Sequence, residues 1–363
     1  MNQEMLRAIV ECFHTEGEFL SATPYGSGHI NDSYRVSCSG SIGIVRYLMQ
    51  RVNERVFKNT IALMENVERV TAHLAAKVDG EPEATRRVLT LVPTRAGANC
   101  HVDAEGQTWR MYRFIENART YDAVESVEQA FQAASAFGRF QRMLVDLPAP
   151  RLHDTIPDFH NTPKRYEALE QTIAADVAGR AKQVQNEIDF VRERSSILNV
   201  LQAVGLPERI THNDTKFNNV MLDDVNGEAI CVVDLDTVMP GLVLHDFGDM
   251  VRTTTSPAPE DEPDLSKVIM QFPMFDALLR GYLSTAGDFL TRAEEQHLVV
   301  ASKVIALEQG IRFLTDYIAG DTYYKVHRKG QNLDRCRTQW KLVASIEQQE
   351  VAMRKLLRSL TDL

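Results

Sequence analysis

The hydrophobic periodicity of this chain changes character partway along, and that change limits the folds open to it. Up to about Asn117 the apolar residues fall in strand-like patterns, and beyond it they recur at helical spacing. In the first part, residues 33–37 alternate polar and apolar types. Residues 42–52 are rich in β-branched, aromatic and large apolar types, and 109–115 read as a further strand. Between them one helix is predicted at about 60–77, with Ile61, Met64, Val67 and Leu74 at helical spacing. In the second part, Ser126 with Gln129 three residues on is a capping-box start, and Phe131, Ala134, Phe137 and Leu144 follow on one face. Further helices are predicted around 163–180, 185–203, 264–284, 291–319 and 333–360. A strand–turn–strand zone near 219–236 interrupts them, with its turn at 223–227 and a buried strand at 229–233. Residues 256–263 form a Pro- and acid-rich loop. At 363 residues the chain exceeds the size at which single cores stop growing. The expectation is an α+β chain of two lobes: a small N-terminal sheet lobe at 1–117 and a larger, mostly helical lobe at 118–363. Chemistry would sit in the cleft between them.

The formal net charge of −10 gives no electrostatic footprint for nucleic acid or an anionic membrane, so neither is expected as a partner. The five cysteines are scattered with no C-x-x-C pair, which reads as reduced thiols and not as a disulfide frame or zinc site. Glu4, Arg7 and Glu11 in the first turns argue against a signal peptide. No run of about 18 apolar residues suggests a membrane span. The expected location is cytoplasmic.

One constellation carries chemistry. Phosphoryl transfer needs a group to orient the attacking hydroxyl, a metal held by carboxylate and amide oxygens, and positive charge on the moving phosphoryl. His212, Asp214 and Asn219 take the His, Asp and Asn places of a phosphotransferase catalytic loop, H-x-D-x-x-x-x-N. Lys216 stands where it can neutralise phosphate. Asp234, twenty residues after Asp214, ends the next predicted strand, where a magnesium ligand belongs. A lone H-x-D, an Asn pair or a D-L-D is most often a turn or cap; their order and spacing together favour the functional reading. His212 reads as a brace for the loop and not as a proton carrier. Gly26 and Gly28, in a G-x-G-x-x-N run at 26–31, fit a turn over nucleotide phosphates or a plain hairpin turn. No Val-Ala-Ile-Lys occurs on the predicted strand; Arg46, Gln50 and Arg51 are the candidates to replace its lysine. The D-F-G at 246–248 lies too far beyond the loop to hold the metal, and no Ala-Pro-Glu follows, so no protein substrate is expected.

With these residues in place, the chain resembles the aminoglycoside phosphotransferase and choline kinase-like family, most narrowly its N-acetylhexosamine 1-kinase branch. The similar stretches are 24–31, 109–116, 159–163, 211–216, 233–241, 245–249, 312–317 and 320–323. T-H-N-D-T-K at 211–216 and D-L-D-T-V-M-P-G at 234–241 are specific to the branch. The match runs over roughly 20–345. The resemblance implies a two-lobed protein-kinase-like fold. It also implies ATP- and Mg2+-dependent phosphorylation of the anomeric hydroxyl of N-acetylglucosamine or N-acetylgalactosamine. Asp214 then matches the base, and Asn219 and Asp234 the magnesium ligands, with Asp236 a further candidate. His29, Arg312 and Tyr323 match sugar-contacting positions, and adenine is expected against Glu116 and Asn117. Each of these three has a plainer reading. His29 suits a turn, Tyr323 suits packing, and Arg312 suits an ion-pair ladder with Glu308 and Asp316. The alternatives are a kinase of another small alcohol and a non-catalytic nucleotide- or sugar-binding pseudokinase.

Overall fold

A computed structural model describes residues 1–26, 30–41 and 43–362. Helix α1 (Gln3–Val10) precedes three strands, β1 (Glu18–Pro24), β2 (Asp32–Gly40) and β3 (Gly43–Arg51). Helix α2 (Thr60–Val78) and the single turn α3 (Ala84–Arg87) lead to β4 (His101–Val102) and β5 (Thr108–Arg113). These strands form one antiparallel sheet in the order β1-β2-β3-β5-β4. A short link leads to β6 (Ala118–Arg119), and the helices α4 (Val127–Leu144), α5 (Thr162–Ala175), α6 (Gln185–Glu193) and α7 (Val200–Ala203) follow. Four short strands come next, β7 (Arg209–Thr211), β8 (Val220–Asp223), β9 (Ala229–Val232) and β10 (Met239–Gly241). The chain ends in α8 (Val243–Thr254), α9 (Phe272–Ala286), α10 (Arg292–Ala319) and α11 (Gln331–Leu360). The fold is mixed α+β, an antiparallel sheet lobe followed by a helical part.

Local chemistry explains most boundaries. Asn59, Ser126 and Asn161 cap α2, α4 and α5 through their side-chain oxygens. Thr291 and Glu294 form a full capping box on α10, which ends at Gly320 with φ 100°. The hairpin β8–β9 turns through Gly227. Some expectations shift. Ile61 is 70% exposed, because the inward face of α2 runs through Leu63, Met64, Val67, Val70 and Leu74. The helix expected at 185–203 breaks after Glu193, where Ser195 and Ser196, weak helix formers, enter a 3-10 turn. The helix expected from 264 starts at Phe272, with Pro273 in its first turn. Helix α8 was not expected from the sequence at all, and it carries a residue the site depends on.

Apolar burial ties the two parts together. Tyr112 and Ile115 from the sheet side share one layer with Val67 and Leu74 of α2, Phe140 of α4, Met221 of β8 and Leu235. A larger core sits among α4 and α8–α11. Gly248 lets α8 press against α10: a Cβ there would come within 2.6 Å of the Ala301 carbonyl and of Ile305.

Candidate active site

The loop after β7 makes a sharp bend. Asn213 adopts a left-handed conformation, φ 64°, which asparagine tolerates better than most residues. Its amide bonds the carbonyls of Thr211 (3.2 Å) and Thr237 (2.9 Å). The bend turns two successive backbone N–H groups toward one carboxylate: His212 N–H donates to Asp246 Oδ2 (2.9 Å) and Asn213 N–H to Asp246 Oδ1 (2.7 Å). Asp246, in the first turn of α8, also accepts from Gln141 (2.7 Å), which Tyr282 holds through its hydroxyl (2.6 Å). Thr215 Oγ1 donates to the Asp246 carbonyl (2.7 Å). The D-F-G aspartate therefore splints the loop. Its i, i+1 backbone partners lie far away in sequence, and only its place at a helix start could have hinted at this use.

His212 is fully buried, with its ring edge-on to Phe137 and Phe140. Its Nε2–H donates to the Val233 carbonyl (2.9 Å) while Nδ1 accepts from Asp214 N–H (3.3 Å). Both nitrogens are spent on backbone, so the ring braces the loop.

Asp214 is presented at the surface of this scaffold, its side chain 27% exposed. Lys216 Nζ lies 2.8 Å from Oδ1, and the Asn219 amide bonds the Asp214 carbonyl (2.7 Å) and Oδ2 (3.3 Å). Burial works to raise the Asp214 pKa, but Lys216, with Arg252 behind it, outweighs burial and holds the carboxyl below its ordinary value. Asp214 in turn pushes the Lys216 ammonium up. The pair is thus ionised, a carboxylate able to accept a hydrogen bond from a hydroxyl beside a fixed cation.

Val233 N–H donates to the Asn219 carbonyl (2.9 Å), which draws the end of β9 against the loop. Asp234 follows in a left-handed conformation, φ 59°, and is exposed. Among the described residues none donates a hydrogen bond to its carboxylate. Enclosure by the surrounding protein, then the charges of Asp236 and Asp214, push its pKa up to about 6. Asn219 spends its amide nitrogen on Asp214, which leaves its oxygen free. A carboxylate short of positive charge and an amide oxygen suit a hard cation that keeps phosphate and water as its other ligands. No group of three or more His, Cys, Asp and Glu that could hold a metal is gathered among the described residues. Asp236 is engaged elsewhere: Arg110 salt-bridges Oδ1 and Asn31 donates to Oδ2 (2.7 Å).

Across the cleft, Glu116 and Asn117 sit in the link between lobes. Arg86 donates to both carbonyls (3.1 and 2.9 Å) and pairs with Asp223 (2.8 Å), while the Glu116 side chain pairs with Arg46 (3.0 Å). Gly28 and His29 lie outside the described residues.

Arg312 and Tyr323 come together at the other end. The expected ladder does not form. Glu308 turns to His160 Nδ1 (2.8 Å) and Thr162 (2.6 Å), and Asp316 accepts from the backbone N–H groups of Thr322, Tyr323 and Tyr324 (2.8, 2.8 and 3.0 Å). Arg312 bonds Gln309 (3.0 Å) and lies over the rings of Phe159 and Tyr324. Tyr323 is 67% exposed and meets Tyr324 edge-on, so Tyr324 is the ring against the guanidinium. His160 Nε2–H reaches the Asn213 carbonyl (3.1 Å), joining this end to the catalytic loop.

The structure thus combines a sheet lobe, a helical part and a splinted loop that presents Asp214, Lys216 and Asn219, with Asp234 beside it after β9. The model of the phosphotransferase enzyme family matches residues 21–282, and the chain belongs to that family. Its fold is similar to that of an aminoglycoside phosphotransferase from Alicyclobacillus acidocaldarius (TM-score 0.63, 12% identity, covering 98% of this chain and 96% of that one). It is similar to spectinomycin phosphotransferase in complex with ADP and spectinomycin (0.57, 11%, 96% and 99%). It is also similar to a choline/ethanolamine kinase family protein from Mesorhizobium loti (0.55, 19%, 98% and 98%). No helix of the described residues is long and apolar enough to cross a membrane.

Proposed function

We propose that the protein transfers the γ-phosphoryl group of ATP to the anomeric hydroxyl of an N-acetylhexosamine, N-acetylglucosamine or N-acetylgalactosamine, releasing the sugar 1-phosphate. The observation that carries the reading is the ionised Asp214, held by Lys216 and Asn219 beside Asp234, whose carboxylate accepts no hydrogen bond among the described residues. Asp214 accepts a hydrogen bond from the acceptor hydroxyl and takes its proton as the O–P bond forms and the bond to the ADP oxygen breaks. Lys216 offsets charge on the transferring phosphoryl. Asn219 and Asp234 would hold Mg2+, which when bound offsets charge on the nucleotide phosphates. Adenine lies against Glu116 and Asn117 in this reading, with Gly28 as a further nucleotide contact.

The acceptor class rests on the sequence stretches quoted above and on the charge at the acceptor end. Arg312 and Arg165 face one region, and among the described residues neither is salt-bridged to a carboxylate. Burial, then Arg312, lowers the Arg165 pKa. Such an end repels a cationic amino alcohol or aminoglycoside and suits a neutral sugar whose hydroxyl and acetamido oxygens accept hydrogen bonds, with Arg312, Tyr323 and His29 as contacts. The test is an ATP/Mg2+ assay with both N-acetylhexosamines, choline, ethanolamine and an aminoglycoside, followed by phosphorus NMR of the product. An anomeric phosphate is expected. Phosphate on another hydroxyl, or turnover only with the amines, overturns the acceptor assignment.

A further inference from the structure

The lysine that a kinase-like sheet carries on its third strand has no counterpart on β3. The three candidates there are otherwise occupied. Arg46 pairs with Glu116 and Arg51 with Asp32, both at the surface. Gln50 points inward, and its Oε1 accepts from Nε (3.0 Å) and Nη2 (2.9 Å) of Arg110 on the neighbouring strand β5. Arg110 is 1% exposed, and its remaining arm, Nη1, salt-bridges Asp236, whose side chain is 3% exposed. Asn31, at the end of the 26–31 run, donates to the other oxygen of Asp236 and accepts from Asn53 N–H (3.0 Å). One guanidinium thus joins the sheet to the turn that carries Asp234, and one carboxylate joins that turn to the flank of the glycine run.

We propose that Arg110 is a positioning residue for the metal–phosphate end of the site, acting through Asp236 to hold the 234–236 turn against the sheet and to offset its second carboxylate. This rests on the reading of Asp234 as the metal ligand. Each nitrogen of Arg110 already bonds Gln50 or Asp236 and the residue is buried, so it braces the turn and is not open to phosphate in this arrangement. What it does instead is geometric and electrostatic. Without it, Asp236 is a buried carboxylate that has lost its ion-pair partner two residues from Asp234, where its charge would compete for the cation and repel the nucleotide.

The test uses the full chain and reads nucleotide binding, not turnover. ADP affinity is measured by calorimetry across a Mg2+ titration for wild type, Arg110→Lys, Arg110→Met, Asp236→Asn and Arg110→Met/Asp236→Asn, with melting temperature followed alongside. Arg110→Met is expected to raise the Mg2+ concentration for half-maximal ADP binding tenfold or more. Arg110→Lys, which keeps the charge but loses the fork, is expected to give a smaller rise, and it keeps the idea testable should the methionine variant not fold. In the Asp236→Asn background, Arg110→Met should add less than twofold. An Arg110 variant that melts lower with an unchanged Mg2+ dependence overturns the proposal, as does an equal effect with and without Asp236. Wild-type protein whose ADP binding ignores Mg2+ would instead sink the functional reading on which it stands.

Discussion

The joint between His160, Glu308 and Asn213 makes a quantitative claim. A carbonyl can only accept, so His160 Nε2 carries a proton toward Asn213; Nδ1 faces the Glu308 carboxylate and carries one too. The ring is an imidazolium. Burial opposes its charge, but Glu308 outweighs burial and raises the His160 pKa. Burial likewise opposes the Glu308 charge, and His160 outweighs it and lowers the carboxyl to about 2. Replacing His160 by Ala strands a carboxylate with Thr162 as its one remaining partner, at a cost of about 3–5 kcal/mol. Glu308→Gln keeps a neutral acceptor for Nδ1–H and removes the charge, costing about 1–2 kcal/mol. In the double variant no stranded charge remains. Its cost should fall short of the sum of the two single costs by at least about 1 kcal/mol. The pH profile follows from the two directions. The Glu308 share is present above its ordinary 4.5 and lost as pH falls toward 2. The His160 share is present below its ordinary 6.5 and lost as pH rises through the raised value. Urea unfolding at pH 6 and at pH 9, followed by circular dichroism, measures the coupling and the His160 share. Additive single costs, a His160→Ala cost under about 1 kcal/mol, or a cost unchanged at pH 9 would refute the charged-pair account.

Three further outcomes follow from the same structure. Asp246→Asn puts an amide nitrogen against a backbone N–H of the loop; it should cost about 2–4 kcal/mol in unfolding and lower kcat at least tenfold with nucleotide affinity kept. Asp316→Ala releases the N–H groups of Thr322, Tyr323 and Tyr324, so KM for the acceptor should rise tenfold or more while KM for ATP moves less than twofold in steady-state kinetics. Asp234 binds its proton more tightly folded than unfolded, about 6 against 3.8, so its ionisation costs stability that accrues as pH rises between those values and is complete above them. Asp234→Asn should therefore melt above wild type in EDTA at pH 7.5, lose that advantage at pH 4, and have no Mg2+-dependent turnover.

The parts of the site legible in the sequence are those whose chemistry is local. Asp214, Lys216 and Asn219 lie within six residues, and Asp234 ends the next hairpin, so spacing alone brings them together. The supports were not legible, because each is a meeting across sequence distance. Asp246 reaches back 34 residues to His212, and Arg110 reaches 126 residues forward to Asp236. Arg110 also sits on a strand where sequence pattern shows only alternation. Arg312 shows the converse: Glu308 and Asp316 have the spacing of a surface ladder, yet α10 is buried there and each acid turns to a partner outside the helix. The lobe pattern was legible because period 2 and period 3.6 survive in the sequence. The helix α8 was not, since it is buried almost all round and carries no single apolar face.

That burial gives Gly248 a meaning beyond close packing. It lies two residues from the splint Asp246, where the Ala301 carbonyl and the Ile305 side chain of α10 meet α8 directly. The depth at which Asp214 stands is therefore gauged by how closely α8 and α10 approach at this glycine. A single methyl at 248 would act as a shim, lifting the splint and the loop together while leaving every catalytic residue chemically intact.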